Sequence, residues 1–138
     1  MIASLVLPLL LQSASLPNPE WDCDDPQVQQ AMNWCAGQDY DAADAAMNAQ
    51  WRITREAMKV RDADFARYRS DHDQRPGWFA SLLEAQRAWI RYRDAHCALE
   101  GYEARGGSLE PLLVLTCKTQ VTRLRTDQLR VLTEGPQG

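Results

Sequence analysis

The stretch from Asp39 to Tyr68, DYDAADAAMNAQWRITREAMKVRDADFARY, decides the fold. Two rows run through it at seven-residue intervals: Asp44, Trp51, Met58 and Phe65, and beside them Tyr40, Met47, Thr54, Arg61 and Tyr68. Positions seven apart lie almost in line on an α-helix, because two turns take about 7.2 residues. The two rows are neighbours, so together they make one face that carries most of the large apolar side chains. A half-buried strand would need alternation of period two, and the stretch has none. One long amphipathic helix is expected here.

Working outward, Ser70-Asp71-His72-Asp73-Gln74-Arg75-Pro76-Gly77 is a run of turn residues that ends this helix. The next helix starts near Trp78. Phe79, Leu82, Leu83, Gln86, Trp89, Ile90, Arg93 and Cys97 follow at three- and four-residue steps, up to Arg105-Gly106-Gly107. Ser108 is placed to cap a last helix that has Pro111 in its first turn. Leu113, Cys117, Val121, Leu124 and Val131 form its expected inner face. Upstream, Asp25-Pro26 is a helix-start pair, which predicts a short helix from Pro26 to Ala36, stopped by Gly37. The expected fold is all-α: a small bundle or hairpin of three long helices plus one short N-terminal helix, stapled by disulfides. Residues 26–133 make one helical domain, 16–25 a polar, Pro-rich lead-in, and 134–138 a tail.

Residues 1–15 have the pattern of a secretory signal peptide. Met1 to Leu11 carry no charge, and Ser13-Ala14-Ser15 supply small residues for cleavage. No Lys or Arg precedes the apolar run, so the amino terminus supplies its only positive charge or the start lies upstream. The run is far shorter than the ~20 residues that span a bilayer. Export gives the four cysteines their meaning, because an even count in a small oxidised domain reads as a disulfide framework. Cys23, Cys35, Cys97 and Cys117 contain no C-x-x-C pair, and neither His72 nor His96 is spaced as a zinc ligand. Four cysteines allow three pairings, and the sequence does not choose among them. The local pairing, Cys23–Cys35 with Cys97–Cys117, is preferred. It requires Cα atoms within ~7 Å, so the chain must fold back before the first helix and reverse near Gly106-Gly107.

The net charge of −4 is unevenly spread. From Leu16 to Trp51 there are seven acids (Glu20, Asp22, Asp24, Asp25, Asp39, Asp41, Asp44) and no base. An acidic N-terminal part favours a cationic partner and disfavours nucleic acid. A solvated surface is the plainer reading of such a run taken alone. Polar residues also stand on the faces expected to be core. Arg93 needs a carboxylate if it is buried, and Asp44 is the candidate, with Arg123 as competitor. Gln86 and Asn48 are expected to pair as amides. We read this set as a polar network that fixes helix register rather than as a ligand site.

These residues also carry a family resemblance. Gln86-Arg87-Ala88-Trp89-Ile90-Arg91-Tyr92-Arg93-Asp94-Ala95-His96-Cys97 resembles the Q-R-x-W-x-x-Y-R-x-x-x-C signature of the LprI-type lysozyme inhibitor domain. Met32-Asn33 before Cys35, Ala43-Asp44 with Asn48, Gly106-Gly107-Ser108, and Cys117 followed by Thr122-Arg123 and Leu129 extend the likeness over about residues 23 to 132. The resemblance implies an exported bacterial helical domain with paired cysteines that inhibits lysozyme by direct binding. The family's namesake is a lipoprotein, whereas Cys23 here follows Glu20-Trp21-Asp22, which is no lipobox. A periplasmic or secreted protein is therefore expected.

Three function classes compete for these features. An inhibitor of a cationic muramidase would use the acidic lead-in (Glu20, Asp22, Asp24, Asp25) and the turn bearing Arg105, Ser108 and Glu110. A periplasmic interaction or envelope-stress module would use Trp21, Trp34 or Trp78 as anchors. An enzyme is disfavoured: G-x-S-x-G, H-E-x-x-H and a Gly-rich phosphate loop are all missing. Asp71-His72-Asp73 reads as solvated turn charge, so no metal or cofactor is expected.

Overall fold

Alanine-rich spacing sets the length of the first helix. In the computed structural model, which describes residues 21–135, α1 runs unbroken from Gln29 to Phe65. The separate N-terminal helix is therefore a misreading. Gly37 lies inside α1, its Cα faces open space, and Asp25-Pro26 precede the helix, whose N-cap is Val28. The physical reason is the continuity of the buried stripe, which passes Gly37 from Ala31, Cys35 and Ala36 to Ala43, Met47, Thr54 and Met58. A glycine inside a helix costs about 1 kcal/mol, which is too little to break a helix packed along its whole length. Residues 1–20, including the expected signal peptide, and residues 136–138 lie outside the described residues.

α2 spans Trp78–Gly101 and continues into one 3₁₀ turn, Tyr102–Ala104; α3 spans Glu110–Glu134. Side-chain partners give the topology. Asp44 meets Arg93 and Asp62 meets Trp78, so α2 runs antiparallel to α1. Thr54 meets Leu129 and Asn33 meets Ser108, so α3 runs parallel to α1. The described residues thus form a three-helix bundle in which α1, roughly 55 Å long at 1.5 Å per residue, is the spine. Its core is small: Met47, Met58, Leu82 and Leu129, flanked by Trp51, Ala57, Phe79 and Trp89.

Two disulfides supplement that core. Cys23 is bonded to Cys35 and Cys97 to Cys117, with Cα separations of 5.5 and 5.4 Å. The first folds the lead-in back onto α1, and the second locks the end of α2 to α3. The reversal between α2 and α3 uses Gly106 in the left-handed region, at φ +79°, which glycine adopts without steric cost.

α3 is rotated from the expected orientation. Leu124 and Val131, assigned to the inner face, are 59% and 63% exposed, while Cys117, Thr119, Thr122, Arg125 and Leu129 are buried. Polar groups on the facing helix explain the choice. Thr54 Oγ1 donates to the Leu129 carbonyl at 3.0 Å and lies 2.8 Å from Thr133 Oγ1, so α3 shows α1 its hydroxyl side. Ser108 does not cap α3 either, because its N-cap is Leu109 and no side chain caps it. Glu110 instead accepts from the Gly106 N–H at 2.7 Å.

The start of α2 is capped from another helix. Asp62 of α1 accepts from the Trp78 N–H at 2.7 Å and the Phe79 N–H at 2.9 Å. A carboxylate there satisfies two free helix N–H groups and opposes the positive end of the helix dipole. Gly77 leaves room for it, since a Cβ would collide with the Asp62 carboxylate. Asp62→Ala is expected to cost about 1–2 kcal/mol, read as a lower urea midpoint with unchanged slope. An unchanged midpoint would remove this cap from the account.

Candidate functional site

Two segments read separately in the sequence are each tied to the start of α1. The lead-in carries Asp22, Asp24 and Asp25, all exposed, with the Asp24 N–H donating to Asp22 Oδ1 at 3.0 Å. The Cys23–Cys35 bond holds it against the first turns of α1. From those same turns Asn33 Nδ2 donates to the Ser108 carbonyl at 3.0 Å, while Gln29 Nε2 donates to Asn33 Oδ1 at 2.9 Å. The turn holding Arg105, Ser108 and Glu110 is thereby tied to α1 at Asn33, two residues from the disulfide at Cys35. Arg105 lies over the Tyr102 ring at 4.4 Å. Val28, Tyr102 and Leu109 are exposed at this end and add apolar surface among the acids. Glu20 lies outside the described residues.

Farther along the bundle, Arg93 is 7% exposed and sits between the rings of Trp89 and Tyr40, at 5.0 and 5.6 Å. Its Nε is 3.0 Å from Asp94 Oδ1 and its Nη1 is 3.4 Å from Asp44 Oδ1; Lys118 Nζ is 3.2 Å from the same Asp94 oxygen. Asn48 donates to Asp44 Oδ2 at 2.8 Å. The expected Gln86–Asn48 amide pair does not form, because Asn48 is exposed and Gln86 is buried. Gln86 instead accepts from Arg125 Nε at 2.9 Å and directs its Nε2 at Met47 Sδ, 3.2 Å away. Arg123 is exposed and takes no part in the seam; the buried arginine of α3 is Arg125. Reading α3 from Cys117 by helical steps, 117–122–125–129, was the signal that would have found it.

The seam shifts two of its groups in opposite directions. Burial raises the Asp94 carboxyl, but the hydrogen bonds and charges of Arg93 and Lys118 outweigh it and hold it below its ordinary value. Burial likewise raises the Tyr40 hydroxyl, against the pull of Arg93 and with the help of Asp44 and Asp94. A depressed carboxyl in the folded chain means that the unfolded chain takes up its proton first as pH falls. Stability is therefore expected to be complete above the ordinary Asp range and to decline below about pH 4, with Asp94→Asn flattening that decline. Thermal melts across pH 2–7 check it, and an unchanged acid limb in the variant would exclude the seam.

At the opposite end lies a cleft of about 1000 Å³ between the end of α1, the 66–77 loop, the start of α2 and the end of α3. Trp78 lines it, 39% exposed and edge-on to Phe65 at 5.0 Å; Trp21 and Trp34 are only partly exposed. Asp71 and His72 are exposed, whereas Asp73 is held by Arg75 at 2.9 Å. Among the described residues His96, Glu100 and Cys117 are close enough to hold a cation. Cys117 is already bonded to Cys97 and His96 to Glu100 at 2.9 Å, so this group is not a metal site.

The model of the family described as "Lysozyme inhibitor LprI" matches residues 23–129, which takes in both disulfides, the seam and the acidic end. The chain belongs to the LprI lysozyme inhibitor family. An uncharacterised protein of Rhizobium meliloti (strain 1021) is 43% identical over 124 residues, covering 90% of this chain and 87% of that protein. No solved structure matches. Of the residues that carried the resemblance, Gln86 and Arg93 are buried, Trp89 is partly buried, Cys97 makes the staple, and Arg87 and Tyr92 are exposed. No helix among the described residues is long and apolar enough to cross a membrane.

Proposed function

We propose that this domain is exported and inhibits a cationic muramidase by binding it directly through its acidic end, without catalysis of its own. The observation that supports the reading is that the lead-in and the 105–110 turn are both fastened to the start of α1, by Cys23–Cys35 and by Asn33 to Ser108. Membership of the lysozyme inhibitor family supports the class of partner, and two disulfides support an oxidising compartment. Host-defence lysozymes are basic and cleave with two carboxylates set in a cleft. Asp22, Asp24 and Asp25 would steer such an enzyme in, and the exposed Val28, Tyr102 and Leu109 would give it a dry contact. A cross-linked lead-in loses less conformational freedom on binding than a free one. The test is turnover of cell-wall substrate by a basic lysozyme with the oxidised mature domain in molar excess. Inhibition at low salt that weakens as salt rises is expected, because rim charges are screened beyond ~10 Å at 0.1 M. Unchanged turnover at low salt would defeat the proposal.

A further inference from the structure

The buried arginine at the other end of the bundle lacks the partner that its position demands. Arg125 is 8% exposed, yet its partners carry no charge: Gln86 Oε1 at 2.9 Å, Gln128 Oε1 at 3.2 Å and the Trp89 ring at 5.9 Å. Its Nη2 is buried without any hydrogen-bond partner among the described residues. A buried guanidinium facing only neutral groups is costly, and a hydrophobic residue in its place is often neutral or stabilising. Burial accordingly pulls its pKa down. Arg93, 7% exposed in the same interior, has two carboxylates, so the missing anion at Arg125 is particular to this site.

Arg125 lines the cleft of about 1000 Å³, whose walls include Met58, Phe65, Leu82 and Leu132. That volume is at the upper end of the range of small-molecule pockets. The other charged groups lining it are engaged. Asp62 caps α2, Asp73 binds Arg75, and Arg69 donates to the Asp73 carbonyl. A peptide laid along these walls would find few groups for its own backbone, which argues against a polypeptide occupant. A hydrocarbon chain needs none.

We propose that this cleft binds a small apolar monocarboxylate, its chain against Met58, Phe65, Leu82 and Leu132 and its carboxylate on the guanidinium of Arg125. The site lies at the end of the bundle remote from the acidic surface and does not depend on lysozyme being the partner there. It combines a largely apolar, partly open cleft with one charge-assisted contact, which sets the headgroup preference.

The test titrates the oxidised protein with decanoate, decanol and decyltrimethylammonium below their micellar concentrations, by calorimetry and by tryptophan fluorescence, to which Trp78 in the cleft contributes. Decanoate is expected to bind one to one and roughly tenfold or more tighter than decanol, as a hydrogen bond to a charged group implies. Arg125→Met should bring decanoate down to the decanol level. Ala85→Trp, from an exposed cleft position that leaves Arg125 in place, should weaken both ligands. Melting curves check that both variants are folded. Equal binding of decanoate and decanol, no saturable binding of either, or a carboxylate preference that survives in Arg125→Met would overturn the proposal. So would a peptide with a free apolar C-terminus that binds better than decanoate.

Discussion

Replacing Cys97 and Cys117 together by serine is expected to cost the domain about 3 kcal/mol, read as a large drop in its urea midpoint. The bond closes a loop of 20 residues, and the chain-entropy cost of leaving such a loop open is of that size. Both half-cystines are buried, so serine also leaves two hydroxyls in an apolar setting. The core cannot absorb the loss, since it consists of two methionines and two leucines with aromatic flanks. The folded fraction at 37 °C should fall visibly by circular dichroism. A double variant as stable as the parent would show that α2 and α3 are held by packing alone.

Arg93→Met is expected to destabilise by about 2–3 kcal/mol, although methionine matches the length and apolar stem of arginine. The change leaves Asp44 and Asp94 without their shared cation, beside a partly buried Tyr40 hydroxyl. Removing one partner of a buried pair costs 3–5 kcal/mol, and the figure is lower here because both carboxylates keep contact with water. Arg125→Met is the matched control, since it deletes a guanidinium with no carboxylate and should be neutral or stabilising. Equal losses in the two variants would mean that burial, not pairing, sets the cost.

The sequence made the helices legible because their apolar and cysteine positions repeat near 3.6, and made the turns legible because Pro and Gly mark them. It misled where two physical signals competed. Gly37 has the composition of a stop, but the stripe from Ala31 to Met58 overrides it. The apolar spacing of Val121, Leu124 and Val131 suggested a buried face, yet Thr54 and Gln86 on the facing helices select the side with Thr122, Arg125 and Leu129. Pairings of that kind join residues about 40 to 80 positions apart, and no local pattern announces them. The acidic lead-in and the 105–110 turn were each visible as charge and turn chemistry. Their common attachment to the start of α1 was not, because that of the turn rests on Asn33 reaching a backbone carbonyl. The cleft, built from four separate segments, left no trace in the sequence at all.

Direct titration of a basic lysozyme with the oxidised domain, against the Asp22→Asn, Asp24→Asn, Asp25→Asn triple variant, tests the acidic end as the binding surface most directly. These three side chains are exposed, so the variant should fold as the parent does. The account predicts saturable binding by the parent at low salt, and binding weaker by about tenfold or more in the variant, mainly through a slower association rate. Equal affinity of parent and variant, or no binding by the parent, would contradict it.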